Sequence, residues 1–270
     1  MSSIVGSPAS GSTRGSFGGL FSVAGAVAWR QVHKFFTNPA FLTPALFPIF
    51  FFIAFAGGLS SVGQVPGFDF AGGYVAFQFV WSLLQAVALG GAFTGFSIAG
   101  DFESGFARRL MLAASNRRGI LLGYVLASIV RTAVTGGLVT IVALIGGMRP
   151  TGGLDIFGIV GLALLVNIAA TLFGAGVAML LRTGEAGPLI RTPIFLILFI
   201  APVFVPQNLL VGWISVAASL NPMTFILEAG RGFLFGDPTG GALAFGVAAA
   251  AVLLLIPWAL FGLRGAERAG

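Results

Sequence analysis

Charged side chains that could do chemistry are concentrated between positions 100 and 118. Two carboxylates are followed there by four guanidinium groups: Asp101, Glu103, Arg108, Arg109, Arg117 and Arg118. Paired carboxylates act as general acid and base when they face each other across a cleft. Asp101 and Glu103 are two residues apart on a turn or helix start, so they do not face each other in that way. Acidic residues before basic ones suit the dipole of a short helix instead.

The other residues offer little for catalysis. The chain has no cysteine and one histidine, His33, which excludes thiolate sites, His-cluster metal sites and a plausible Ser/His/Asp set. Its only lysine, Lys34, does not follow the glycine-rich run of a phosphate-binding loop. We therefore predict a chain without enzymatic activity, without its own cofactor or metal, and unable to hydrolyse ATP alone.

Apolar side chains recur every three or four residues across the charged segment, at Phe102, Phe106, Leu110 and Ala113. This spacing predicts one apolar face on a short amphipathic helix. Two interpretations are open. The helix either anchors its loop at a membrane interface, or it docks a soluble partner that drives the rest of the molecule.

Composition shows what this helix is attached to. Apolar residues make up 57% of the 270 positions, charged residues only 8%, and the mean hydropathy is +1.02. Soluble domains carry about a quarter charged residues, so most of this surface must face lipid. At about 20 residues a span, we predict an all-α integral membrane protein with six transmembrane helices, over residues 41–59, 71–98, 119–147, 156–181, from 192 onwards, and 240–263.

The segments outside these spans are also predicted to have defined places. Residues 1–19, rich in Ser and Gly, indicate a flexible cytoplasmic tail, and residues 20–270 a single transmembrane domain. Residues 20–37 end in Trp29, Arg30, His33 and Lys34, which favours an interfacial helix over a simple entry to the first span. Residues 207–239 are apolar but broken by proline, which is typical of short helices re-entering the outer leaflet.

Basic residues determine the orientation. With both termini inside, the inner segments hold 11 of the 14: Arg14, Arg30, Lys34, Arg108, Arg109, Arg117, Arg118, Arg182, Arg191, Arg264 and Arg268. Cytoplasmic loops are enriched in Lys and Arg, so both termini are predicted to be cytoplasmic. The opposite orientation would place these residues outside the cell.

Two stretches resemble type-two ABC exporter permeases, and most closely the daunorubicin-resistance type of drug exporter. The first is Glu103-Ser-Gly105, Arg109-Leu110 and the small and basic residues leading into Gly119, although the usual Thr after the Gly is Phe106 here. The second is Asn221-Pro222 with Glu228 and Arg231 before the last span. The resemblance covers residues 30 to 265.

That resemblance implies a mechanism and a set of partners. Two such permeases, identical or paralogous, form a pathway through the bacterial inner membrane, and two separate ATPase subunits bind ATP and magnesium at the inner face. The interfacial helix and a coupling helix between spans two and three contact the ATPase. The expected contact residues are Arg30, Lys34, Asp101, Phe102, Glu103, Phe106, Arg108 and Arg109.

The resemblance also limits the expected cargo to an apolar drug or a lipid carried out of the cell. Within the family the alternative is a polysaccharide, glycolipid or haem exporter. Outside it, the alternatives are a non-ABC transporter or a membrane assembly protein.

Three ionisable residues lie away from the inner loops. Arg131 falls inside the third span, where a charge is costly and must face protein or water. It is either a cavity or gate residue or a structural partner of a neighbouring group. Glu228 and Arg231, three residues apart, can pair on one helical face and are further pathway candidates. GxxxG pairs at 91/95, 119/123 and 232/236 carry little weight among 41 glycines.

Overall fold

The protein is all helical across the residues that its computed structural model describes, 17–150 and 155–268. In chain order the α-helices are α1 Phe17–Thr37, α2 Pro39–Gly58, α3 Gly73–Glu103, α4 Phe106–Ala113, α5 Arg118–Ile145, α6 Ile156–Leu181, α7 Ala186–Ile200, α8 Trp213–Leu220, α9 Pro222–Leu234 and α10 Gly241–Arg268. Short 3₁₀ turns occupy Ser60–Gln64 and Gln207–Leu209.

Four of these helices, α3, α5, α6 and α10, are long and apolar enough to cross a membrane. The apolar stretch Leu46–Gly58 of α2 and the whole of α7 are shorter. The predicted all-α membrane fold is therefore confirmed, while the count of six spans stays a prediction. Most of the predicted tail, residues 1–16, and part of the predicted outer turn, 151–154, lie outside the described residues, and α1 begins at Phe17.

Helix α3 is the centre of the bundle and is buried along nearly its whole length. It contacts α2, α5, α6, α7 and α9, while α10 packs mainly on α6 and leaves much of its surface exposed. A hydrophobic helix buried all round is typical of a core position. Any displacement of α3 must therefore be accommodated by most of its neighbours.

Glycine pairs provide the closest helix contacts. A Cβ on Gly119 would lie 2.6 Å from Leu20 O, and one on Gly123 would lie 2.6 Å from Ala24 O, so α1 and α5 touch backbone to backbone. Gly91 and Gly95 of α3 approach α6 in the same way. Small residues permit such approach between helices in lipid. These two GxxxG pairs carried little weight in the sequence analysis, but in the structure they form close helix–helix contacts.

A hydrogen-bonded polar cluster joins α3, α5 and α6 inside the bundle. The Asn167 amide donates to Thr132 Oγ1 at 2.7 Å and to the Val87 carbonyl at 3.0 Å, and its oxygen accepts from Ser128 at 2.9 Å. Thr171 donates to Ser128 at 2.9 Å. Because each member has a partner, the cluster stabilises the contact of the three helices.

Proline ends α7, and the carbonyl groups of its last turn find partners elsewhere. Pro202 has no N–H for the Leu198 carbonyl, which accepts instead from Trp81 Nε1 at 3.2 Å. The Ile197 carbonyl accepts from Asn221 Nδ2 at 2.6 Å. The Asn221 side chain also accepts from the Met223 N–H at 3.0 Å, capping α9, with Pro222 at its first position. The predicted irregular segment is therefore two short helices, α8 and α9, joined to α7 through Asn221.

The Gly123→Ala substitution is expected to lower the free energy of unfolding by about 1–3 kcal/mol, because the new Cβ meets backbone rather than a flexible side chain. Thermal unfolding of the detergent-solubilised protein measures this. The matched control is Gly137→Ala in the same helix, where a Cβ would meet no atom within 4 Å. Equal unfolding midpoints for the two variants would contradict the close contact of α1 with α5.

Candidate functional site: the Asp101 junction at the C-terminal end of α3

A buried carboxylate lies at the C-terminal end of α3 and accepts hydrogen bonds from two other helices. Asp101 is only 1% exposed. Arg30 of α1 donates to both of its oxygens, at 2.9 Å and 2.8 Å. Gln31 Nε2 and the Tyr124 hydroxyl donate to Oδ2, at 2.9 Å and 2.8 Å. Lys34 Nζ lies 3.7 Å from Oδ1. We call these five residues the Asp101 junction.

The junction forms because three helices place matching groups at one level. Arg30, Gln31 and Lys34 fall within one turn of α1, on the side that packs against the rest of the bundle. Gln31 is bound on both sides, since its oxygen also accepts from Ser97 Oγ at 2.7 Å. Every oxygen of the buried carboxylate is therefore paired, as a charge in a low-dielectric interior requires.

Electrostatics reinforce this pairing. The hydrogen bonds to Asp101 raise the pKa of Arg30 above its ordinary value, against the opposing effect of partial burial. Arg30 therefore stays charged at physiological pH. Two cations next to one carboxylate leave a local excess of positive charge near the C-terminal end of α1.

Helix α4 starts directly beside the junction. Helix α3 ends at Glu103, and Gly105 adopts a left-handed conformation (φ 70°) with its N–H bonded to the Phe102 carbonyl at 3.0 Å. Phe106 then begins α4, with its ring centroid 3.6 Å from Arg30 Cζ. The predicted amphipathic helix exists, but Phe102 belongs to α3, because the glycine turn separates it from Phe106.

The surface of α4 is divided between the bundle and solvent. Ala107 and Met111 are buried. Arg108, Arg109 and Leu112 are exposed, with Leu112 at 78%. An exposed leucine one helical turn after two exposed arginines forms an amphipathic patch. No described part of this chain covers that patch. We call Arg108, Arg109 and Leu112 the α4 face.

Glu103 lies next to the α4 face and binds the turn between α6 and α7. Its carboxylate accepts from the Gly184 N–H at 2.6 Å, which connects the end of α3 to the turn between α6 and α7. Glu103 remains exposed to solvent. The turn after α3 and the turn between α6 and α7 are therefore connected at the end of α3.

The structure separates the predicted contact residues into two groups. Asp101 and Phe102 are buried and contact the chain's own helices, so their side chains do not offer a direct partner contact in this geometry. Glu103, Arg108 and Arg109 are exposed, while Arg30, Lys34 and Phe106 are half-buried. Contact of these six with a partner stays a prediction.

Arg131 is buried in α5 and donates from Nη2 to Thr94 Oγ1 of α3. Its position is two turns from Tyr124 on the same face of α5. The two residues therefore form successive contacts between the same pair of helices. This arrangement favours the structural interpretation of Arg131, and a gate role stays a prediction.

Glu228 and Arg231 lie far from the junction, at the other end of α3. Their side chains pair at 2.8 Å. Arg231 is 2% exposed, and its Cζ lies 3.4 Å from the Phe77 ring centroid. The contact of Arg231 with Phe77 therefore attaches α9 to α3, and the predicted part of the Glu228–Arg231 pair in a pathway stays untested.

Sequence reasoning missed Gln31, Ser97 and Tyr124 as members of this site. One available signal was Tyr124 itself, one of only two tyrosines, in a segment predicted to lie in the membrane. A tyrosine hydroxyl in an apolar environment needs a hydrogen-bond partner. The predicted topology placed Tyr124 and Asp101 at the same end of neighbouring spans. Asp101 was therefore an acidic residue that could accept the hydrogen bond of Tyr124.

Comparisons with known proteins cover most of this chain. A family model described as "ABC-2 type transporter" matches residues 23–235. The daunorubicin resistance ABC transporter permease protein DrrB1 of Streptomyces coeruleorubidus is 25% identical over 224 residues, which is 77% of this chain and 73% of that protein. The family match includes the Asp101 junction, the α4 face and Arg231.

Asp101→Asn is expected to cost about 2–3 kcal/mol of unfolding free energy, because it leaves Arg30 and Lys34 without their carboxylate in a mostly buried place. Glu267→Gln is the matched control. Glu267 forms a longer, more exposed ion pair with Arg117 at 3.7 Å, and its loss should cost less than about 1 kcal/mol. If thermal unfolding shows Asp101→Asn as stable as Glu267→Gln, the junction is not a stabilising centre.

Proposed function

Since the chain belongs to the ABC-2 type transporter family, we propose that it is the transmembrane subunit of an ATP-driven exporter energised by a separate ATPase subunit. Family membership confirms the resemblance seen in residues 103–119 and 221–231. It supports the membrane subunit of an ABC exporter over the alternatives of a non-ABC transporter and a membrane assembly protein. Membership also makes the chain a multi-pass membrane protein.

The observation that carries the proposal is the α4 face. Its two arginines and exposed leucine offer charge and an apolar contact together, at the end of the molecule where basic residues are concentrated. Charged rims and apolar anchors are typical of protein interfaces. An acidic groove on an ATPase subunit would match this surface, and ATP and magnesium would be bound in that subunit.

The contacts behind the α4 face give a physical route for coupling. Helix α4 follows α3 after one glycine turn, and Phe106 packs on Arg30, which is bonded to Asp101. A partner that moves α4 would therefore move the end of α3 and the end of α1 together. Glu103 would extend the motion to the loop before α7 through Gly184.

The remaining features of the exporter follow the family pattern. We propose six spans with both termini cytoplasmic in a bacterial inner membrane, and a second copy or paralogue completing the pathway. The relative's name, a daunorubicin resistance permease, supports a hydrophobic drug-like or lipid-like cargo. A polysaccharide, glycolipid or haem exporter remains the alternative within the family.

Replacing Arg109 by Glu, or Leu112 by Asp, is expected to lower the amount of co-purified ATPase subunit at least about tenfold, since reversing an interface charge or removing an apolar anchor costs several kcal/mol. The measurement is affinity purification of the tagged permease from native membranes, followed by identification of P-loop proteins. Arg264→Glu, the same charge change at an exposed position of α10, is the control and should retain the ATPase.

Wild-type recovery of the ATPase by both α4 variants would contradict docking at this face. Absence of any P-loop protein from the wild-type preparation would contradict the proposed function itself. Unfolding midpoints of the purified variants show whether each one is folded, because both substituted residues are exposed.

A further inference from the structure

A small crevice with three arginines lies where the long helices of the bundle end. Its volume is about 50 Å³, and its charged lining residues are Arg108, Arg117, Arg182 and Glu267. We call it the arginine crevice. Sites for drug-sized molecules are far larger, at about 300–1,000 Å³. The arginine crevice therefore has room for one small polar group and not for a drug-like cargo.

The ends of four helices place this crevice at a membrane boundary. Phe102 lies in the last turn of α3, Arg117 directly precedes α5, Arg182 directly follows α6, and Glu267 lies in the last turn of α10. These are the four described helices that are long and apolar enough to cross a membrane. A spanning helix leaves the hydrocarbon where its apolar run ends, so the crevice lies at the level of the lipid headgroups.

The crevice carries an excess of positive charge. Glu267, the one carboxylate among its lining residues, lies 3.7 Å from Arg117 Nη1. For the side chains of Arg108 and Arg182, no hydrogen bond or ion pair is present across residues 17–150 and 155–268. Arg117 also lies at the start of α5, whose first turn has no acidic residue, although a helix N-terminus favours an anion. The local charge therefore calls for an anionic partner.

The backbone of Arg182 is unusual and gives a second, independent indication. Arg182 ends α6 in a left-handed conformation (φ 60°, ψ 21°), with its N–H bonded to the Ala178 carbonyl at 2.8 Å. Among the described residues it alone combines a positive φ with a side chain. Glycine is the usual residue at such a helix end, because a Cβ makes the conformation costly. An arginine at a strained position is explained when its side chain has a function.

We infer that the arginine crevice binds the phosphate of an anionic phospholipid, to which Arg108, Arg117 and Arg182 donate hydrogen bonds. The planar guanidinium group is well suited to this, since it binds phosphate oxygens in pairs. Basic pockets between the ends of membrane helices are typical sites for anionic headgroups. The acyl chains would lie on the apolar surface of α10, where Leu254 and Phe261 are largely exposed.

The position of the crevice favours a lipid over an acidic segment of a partner protein. Four apolar helices end there, and Leu181, beside Arg182, is exposed. Arg108 and Leu112 line the crevice and also belong to the α4 face, whereas Arg117 and Arg182 belong to the crevice alone. The inference goes beyond the proposed function, because it concerns neither the cargo nor the ATPase and holds for any membrane role of this chain.

Phosphatidylglycerol is the probe, added to the delipidated permease in a neutral detergent, and bound lipid is counted by native mass spectrometry. Phosphatidylcholine is the comparison lipid, because its phosphate is balanced by a choline cation. The wild-type chain is expected to bind one phosphatidylglycerol saturably, at least about fivefold more tightly than phosphatidylcholine. Its unfolding midpoint should rise with added phosphatidylglycerol, since a ligand of the folded state stabilises that state.

Four variants test the residues. Arg182→Gly removes the guanidinium group and the backbone strain together, so phosphatidylglycerol binding should weaken roughly fivefold while the unfolding midpoint without lipid stays equal or rises. Arg117→Gln should weaken binding to a similar extent. Glu267→Gln removes the opposing carboxylate and should tighten binding, which damage to the fold would not do. Arg264→Gln is the matched control, since Arg264 is an exposed arginine of α10 outside the crevice and should keep wild-type affinity.

Three results overturn the inference. Equal weakening by Arg264→Gln and Arg182→Gly would mean that the lipid responds only to overall surface charge. An equal rise of the unfolding midpoint with inorganic phosphate alone would assign the crevice to a soluble anion. Loss of the ATPase from Arg117→Gln and Arg182→Gly in the co-purification, with phosphatidylglycerol binding unchanged, would assign it to the protein interface instead.

Discussion

A single buried carboxylate organises the half of this protein that contains the C-terminal end of α3. Asp101 has almost no exposed surface, and a charge in that place is stable only with good partners. Arg30, Gln31 and Tyr124 supply four hydrogen bonds from two helices. The need to pair this carboxylate is consistent with three features of the fold: the contact of α1 with α5, the position of α4 against Arg30 and the orientation of α3.

The opposite half, around the C-terminal end of α7, meets a different requirement: backbone groups must be paired where helices are interrupted. In lipid, every exposed carbonyl needs a partner from the protein. Proline at position 202 ends α7, and the side chains of Trp81 and Asn221 take the carbonyl groups of its last turn. The Asn221-Pro222 pair is therefore used twice, once to start α9 and once to attach it to α7.

Length and hydropathy were sufficient to predict the long helices, because a span of apolar residues has few alternatives in lipid. The break between α3 and α4 was predicted too early in the chain, before Phe102 instead of at Gly105, because the spacing of Phe102 and Phe106 fits a single helical face that continues across the glycine. The roles of Gly123 and Gly91 were also not predictable, because a GxxxG pair does not specify which helix it contacts. The partners of Asp101 required knowledge of how three distant segments meet.

Helix α3 connects the two halves physically. Its C-terminal end carries Asp101 and Glu103, its N-terminal end carries Phe77 under Arg231, and the groups of Ser82 and Gln85 that are unpaired within the described residues lie between them. A long helix is stiff, and neighbours packed at glycine contacts do not yield gradually. A shift imposed at α4 would therefore be carried along α3 to the level of Ser82 and Gln85. The groups with no partner in this conformation are those that such a change can pair or expose at the smallest cost.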